Sequence, residues 1–271
     1  MKQLFSIFFL FFLIISIQAS DLPFQANEEL KYDIHYKYGL VMLKAGTANH
    51  KIVGSNYNNI NSYYTTVDFK TTSFFDKIYK MRDTLSSHIN EKIQPLYHIR
   101  MIHEGNYHFR EELFFNNFSE SFSEVRIKRE SGQILRFDTI LTSNDFGYDI
   151  LSIVYFVRSL DYSQMKSPVE NISTFFGKAN VKITLRCEGQ HIVERSETLK
   201  YNTYKVALDF TDKVFNESKN AMEIWLSNDE NRIPIKIRAK LRIGMAEVNL
   251  VSCENLKYPF SSEIRIPVRN N

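Results

Sequence analysis

Leu30-Lys31-Tyr32-Asp33-Ile34-His35-Tyr36-Lys37-Tyr38 carries the reading that decides the fold. Every even position is apolar or aromatic and every odd position is polar, the period-two pattern of a strand with one face on a core and the other in water. The same alternation returns at Tyr63, Thr65, Val67 and Phe69, at Tyr107, Phe109, Leu113 and Phe115, at Val181, Ile183, Leu185 and Cys187, and at Tyr204, Val206, Leu208 and Phe210. Near the end Ile233, Ile235, Ile237, Ala239, Leu241 and Ile243 alternate with Pro234, Lys236, Arg238, Lys240 and Arg242. Hairpin connections are expected at Val53-Gly54-Ser55-Asn56, Glu104-Gly105-Asn106, Glu130-Ser131-Gly132-Gln133 and Cys187-Glu188-Gly189-Gln190, where Gly and polar residues interrupt the runs.

One segment changes period. Between Asn144 and Met165, Ile150, Leu151, Val154, Tyr155 and Arg158 recur at helical spacing, with Asn144 or Asp145 placed to cap. The expected fold is therefore mainly β: a curved antiparallel sheet or incomplete β-barrel with one central helix. Lys166-Ser167-Pro168-Val169-Glu170-Asn171 then connects two β-rich halves, about 20–165 and 166–271, of a single domain. A short echo, Lys44-Ala45-Gly46-Thr47-Ala48 against Arg242-Ile243-Gly244-Met245-Ala246, reads either as a trace of a repeat, each Gly marking a bulge or tight bend, or as coincidence.

The chain has 271 residues, 44% apolar and 24% charged, with nine Gly, six Pro and two Cys, which excludes disordered, collagenous and disulfide-dense classes. It opens Met1-Lys2-Gln3, runs apolar from Leu4 to Ile17, and continues Gln18-Ala19-Ser20-Asp21. That run is short of a bilayer span and reads as a signal peptide over residues 1–19, the alternative being an uncleaved anchor. The first Cys is Cys187, so a lipoprotein-type attachment near the cleavage point is not expected. Export and a nearly neutral mature balance argue against a nucleic-acid partner. No later stretch is apolar for long enough to span a membrane as a helix.

Chemical motifs are sparse. Cys187 and Cys253 allow either one disulfide or two buried thiols. His103 and His108 are five apart, not the four of a zinc-protease helix. A Gly-Asn turn between them sets them opposite each other across a hairpin, near Glu104, without an evident further metal ligand, and His98 lies on the other strand face. Asp145 and Asp149 form a conceivable acid and base pair, but their place ahead of the helix favours a cap and a solvated first turn. Lys236, Arg238, Lys240 and Arg242 share one strand face, to be solvated, paired with carboxylates on the next strand, or met by an anionic ligand. No nucleophile elbow, phosphate loop or calcium loop occurs, so no catalytic residue, metal or cofactor is assigned.

The mature start Phe24-x-x-Asn27-Glu28-Glu29-Leu30-x-Tyr32, then Lys44–Ala48, Tyr148-Asp149-Ile150-Leu151-Ser152-Ile153-Val154-Tyr155-Phe156-Val157-Arg158 and Ile224-Trp225-Leu226-Ser227-Asn228-Asp229-x-x-Arg232-Ile233-Pro234-Ile235-Lys236 together resemble the exported bacterial family called domain of unknown function 3108. The chain departs at Asn27, where the family pattern usually has Gly. The resemblance implies a Gram-negative envelope location and a β-rich fold, and brings no activity or catalytic residues. The functional expectation is a non-catalytic periplasmic protein that carries an apolar or lipid-like ligand in an aromatic interior. A ligand-free scaffold contacting envelope proteins is the alternative, and an envelope glycan or lipid hydrolase a distant one. Tyr155, Arg158, Trp225 and Asp229 are the candidate constellation, with Arg158 expected as a paired group locking helix to sheet before any ligand contact.

Overall fold

The structure is a computed structural model describing residues 22–119, 122–210, 221–241 and 243–267. The predicted signal peptide and Arg242 lie outside the described residues. The first half is an antiparallel meander of β1 (Glu29–Tyr38), β2 (Val41–Tyr57), β3 (Ile60–Thr71), β4 (Arg82–Asn90), β5 (Pro95–Glu104), β6 (Tyr107–Ser119), β7 (Phe122–Ser131) and β8 (Ile134–Ser143), with a four-residue helix α1 (Ser73–Asp76) between β3 and β4. There follow β9 (Gly147–Tyr148), α2 (Ser152–Ser159), and a second meander of β10 (Val169–Phe176), β11 (Ala179–Glu194), β12 (Leu199–Phe210), β13 (Met222–Ser227), β14 (Pro234–Lys240) and β15 (Met245–Glu254). A short β16 (Glu263–Arg265) pairs with the start of β12.

The two meanders join where β1 pairs β15, giving one sheet ordered β8 to β1 and then β15 down to β9, antiparallel except at β9 and β10. No backbone ladder among the described residues closes the sheet. Its two ends meet through side chains instead: Phe175 of β10 packs with Leu113, Phe115, Val125 and Ile127 of β6 and β7. Ser143 Oγ lies 2.9 Å from Ser173 Oγ, and Gly147 N donates to Ser123 Oγ at 2.8 Å. The sheet curls around α2, whose Ile153 and Val157 pack on Ile183, Leu185, Val206 and Leu226, while Tyr155 turns the other way to Phe24, Ile52 and Ile89. This is the expected incomplete barrel around a central helix, with α1 as an element the periodicity did not announce.

Several local expectations are corrected. The helix is Ser152–Ser159, not a run from Asn144 to Met165. Its first turn is held by Asp149 rather than by Asn144 or Asp145: Asp149 Oδ1 accepts from Leu151 N at 2.7 Å and Ser152 N at 3.1 Å, and Ser152 Oγ accepts from Asp149 N at 2.9 Å. Asp149 is buried, not solvated, and Asp145 pairs with Lys182 instead of converging on it. The β2/β3 turn is Asn58-Asn59, both with positive φ as a two-residue type I′ hairpin requires, and Gly54 lies inside β2 opposite Tyr63. Gly189, at φ 89°, marks a bulge within β11 rather than a turn. The last alternating run ends as a strand at Lys240, because Gly244 at φ 74° turns the chain into β15. Gly46 and Gly244 therefore play different parts, one beside a bulge inside β2 and one in a turn. Asn27, standing where the resembled family has Gly, adopts φ 70°, a left-handed conformation that Asn tolerates best after Gly.

Candidate functional site

Helix α2 carries Tyr155 and Arg158 on successive turns into the interior, and both are 0% exposed. Arg158 meets Glu28, just ahead of β1, in a bidentate pair with distances of 2.6 and 2.8 Å. Nη2 also donates to Pro23 O and Asn231 O, each at 3.0 Å, and Nε donates to Asn231 O at 3.2 Å. Burial alone would lower the guanidinium pKa, but the Glu28 carboxylate outweighs it and the net direction is up. The Tyr155 hydroxyl lies 2.9 Å from both Thr65 Oγ1 and His50 Nε2, which are themselves 2.9 Å apart. Burial, followed by the Arg158 charge, pushes the His50 pKa down to about 3. Every polar valence of Arg158 used here ends on protein, so this pair anchors the helix to the chain's entry segment and to the β13/β14 turn.

That turn carries Asp229. Its carboxylate accepts from Ser227 Oγ at 2.8 Å, Asn231 N at 3.1 Å and Ser262 N at 3.2 Å. Asn231, 0% exposed, passes the restraint on: Oδ1 accepts from Tyr258 N at 2.9 Å and Nδ2 donates to Tyr258 O at 3.0 Å. Arg158 and Asp229 thus meet through Asn231, and together they fix the strap 258–262. Trp225 stands apart from them, on the face of β13 shared with Glu223, with Lys205, Lys236 and Arg238 at 5.2–5.5 Å from its ring. Lys236 pairs with Glu247 at 2.8 Å, and Arg238 with Glu223 at 3.3 Å and Glu247 at 3.5 Å, so this basic face is neutralised by carboxylates of neighbouring strands.

The strap borders an open cleft of about 420 Å³ lined by Tyr201, Leu250, Cys253 and Leu256, by Tyr258 and Phe260 of the strap, and by Glu263 and Arg265. Sequence reading missed it, because residues 255–262 have no periodicity; the Tyr258-Pro259-Phe260 cluster was the available signal. Burial, and then Glu263, pushes the Cys253 thiol up to about 11, so it lies in the cleft as a neutral apolar group and not as a nucleophile. Cys187 and Cys253 are free thiols.

The other motifs fall into structural roles. His103 and His108 face each other across the β5/β6 hairpin with ring centroids 5.3 Å apart, and Glu104 accepts from Tyr79 Oη at 2.7 Å. Among the described residues no group of three or more His, Cys, Asp and Glu is placed to hold a metal ion. His98, on the opposite face of β5, is buried with its Nδ1 2.8 Å from Ser87 Oγ and 3.2 Å from Asp149 Oδ1. Ser87 and Asp149 share one ring nitrogen, so there is no relay from serine through imidazole to carboxylate.

A family model described as a protein of unknown function (DUF3108) matches residues 31–251. The chain belongs to the DUF3108 family. No curated protein matches it. Among solved structures, this DUF3108 chain is similar to the crystal structure of a beta-barrel-like protein of domain of unknown function DUF1849 from Brucella abortus, with a TM-score of 0.60 and 11% identity over 86% of this chain and 100% of that one. At that identity the likeness is one of fold, the same barrel-like β architecture.

Proposed function

We propose that the chain is a non-catalytic binding protein of the bacterial envelope that seats an apolar or lipid-like group in the cleft beside the 258–262 strap. The observation that carries this reading is the cleft: Leu250, Leu256 and Phe260 beside Ser252, Asn255 and the ion pair of Glu263 and Arg265, along a strap fixed by buried Asn231. Such an open cleft, with apolar side chains set beside Ser252, Asn255 and a charged pair, suits an amphipathic lipid-like molecule whose apolar part packs on the former while its polar part meets the latter. The interior around α2 is occupied by Tyr155, Phe24 and Ile153, which moves the ligand from the barrel centre, where the sequence expectation put it, to this outer cleft. Tyr155, Arg158 and Asp229 then act as positioning residues. Export to the periplasm follows the reading of residues 1–19 and belongs to the same proposal. A ligand-free interaction module is the second reading, favoured by that filled centre.

The test is organic extraction and mass spectrometry of protein purified in the form the cell accumulates, beside Leu256→Trp, which fills the cleft. A stoichiometric apolar molecule in the wild type and its loss in L256W is the expected result. A blank for both, after excess envelope lipid has been offered, overturns the carrier reading and assigns the interaction module.

A further inference from the structure

The connections β14/β15, β1/β2 and β3/β4 emerge side by side at one end of the sheet, because their strands are neighbours and antiparallel. Hydrogen bonds tie them together: Tyr36 Oη donates to Ile243 O at 3.2 Å, and Thr72 N to Ala45 O at 2.9 Å. Half of the twenty large apolar side chains exposed among the described residues sit on these three connections and the strand ends that flank them. Leu40 is 103% exposed, Ile78 69%, Ile243 63% and Phe74 59%, with Val41 and Leu43 beside them. A hairpin tip reading Leu40-Val41-Met42-Leu43 is costly to leave in water and serves no core.

The charge around this rim is one-sided. Segments 37–44, 70–82 and 240–245 carry seven described Lys and Arg against one carboxylate of their own, Asp76, bound to Arg82 at 2.6 Å; from outside them Asp33 pairs with Lys44 at 2.7 Å and Glu104 accepts from Tyr79, so the balance stays positive. Lys37, Lys70, Lys77 and Lys80 are all exposed around the apolar tips. The connections at the other end differ: Asn58-Asn59, Glu91-Lys92 and Arg195-Ser196-Glu197-Thr198 are polar and of mixed sign. A protein partner would have to match both the apolar tips and the net positive collar. An anionic bilayer matches both at once, taking the tips into the headgroup and acyl boundary and the lysines onto lipid phosphates.

We infer that this end of the sheet docks the protein on an anionic lipid surface, with Leu40, Val41, Leu43, Phe74, Ile78 and Ile243 inserted and Lys37, Lys77 and Lys80 at the phosphates. The inference stands apart from the cleft, so a blank lipid extraction and a docking protein are compatible.

The test uses the full chain and vesicles of phosphatidylcholine with or without phosphatidylglycerol. Leu40→Trp at the rim and Ile60→Trp at the opposite end report depth through quenching by brominated acyl chains. Expected are quenching of L40W and not of I60W, stronger on anionic vesicles and weakened by salt. The triple variant K37E/K77E/K80E should bind anionic vesicles about a hundredfold more weakly, each lysine being worth about fivefold at such a surface, with an unchanged circular dichroism spectrum. Equal quenching at both ends, or none at Leu40, overturns the inference. So does a wild-type dimer in sedimentation velocity that Leu40→Ser converts to monomer, which would give the rim to a second copy of the chain.

Discussion

His50 enters the interior from β2 with Nε2 shared between Thr65 and Tyr155, and its pKa lies at about 3. An unfolded imidazole titrates near 6.5, so between the two values the unfolded chain takes up a proton that the folded chain refuses. Stability from this residue is full above about pH 6.5 and falls as pH drops toward 3, by about 1.4 kcal/mol per pH unit while only the unfolded state is protonated. Asp149 acts in a lower window. Burial would raise its carboxyl, but His98 and the amides of Ser152 and Leu151 outweigh that and hold it below the ordinary range, so its share is lost only as pH falls below about 4 toward that depressed value. His50→Gln should therefore flatten the decline in urea-derived stability between about pH 6.5 and 4.5 and leave the steeper acid limb. Parallel curves for H50Q and wild type would show that His50 is charged in the fold. The Arg158 and Glu28 pair makes a second residue-scale case, since removing one partner strands a charge that is 0% or 2% exposed. Glu28→Leu or Arg158→Met should each cost about 3–5 kcal/mol in urea unfolding, and the double variant E28L/R158M less than their sum.

Strand β2 shows how far an element is legible before its neighbours are known. It was read only in part, with a turn expected at Gly54 inside it, and its two glycines look alike in sequence and differ in the fold. A Cβ on Gly46 would stand 2.5 Å from Lys70 O, part of the β3 backbone, whereas a Cβ on Gly54 would meet nothing nearer than Ala26 Cβ at 3.9 Å. Gly46→Ala should destabilise by about 1–3 kcal/mol, as overpacking against backbone does. Gly54→Ala should be neutral or stabilise by up to about 1 kcal/mol, because it only removes chain freedom. Urea midpoints that move equally for the two would refute the close approach. The turn misreadings have the same origin: Gly54 and Gly189 signal conformational freedom, and only strand pairing decides whether that freedom makes a turn, a bulge or nothing. Helix α2 was legible in type but not in extent. Its apolar period is real, and Asp149 and Ser152 close its first turn several residues later than composition indicated.

At the scale of the molecule, what was legible is whatever repeats along the chain, and what was not is whatever joins distant parts of it. The anchor Glu28–Arg158 spans 130 positions and Asp229–Ser262 spans 33, and neither leaves a periodic trace. Arg158 was nonetheless readable as a paired group, because a cation on an apolar helix face needs a partner; the partner's identity came only from the fold. The same logic bears on whether the two β-rich halves unfold together. One sheet runs through both by way of β1 and β15, and α2 packs on strands of each, so no plane divides the core. The ends of that sheet are held at the β8 to β10 seam by Phe175, 1% exposed and edge-on to Phe115 at 6.1 Å. Phe175→Ala should therefore lower stability by about 3–5 kcal/mol. It should lower it for the whole chain at once: in urea, fluorescence of Trp225 in the second half and hydrogen exchange of the β4 to β6 amides in the first should shift by the same amount and stay superimposed. If F175A separates the two transitions, the seam and not the β1/β15 pairing is what makes the halves one cooperative unit.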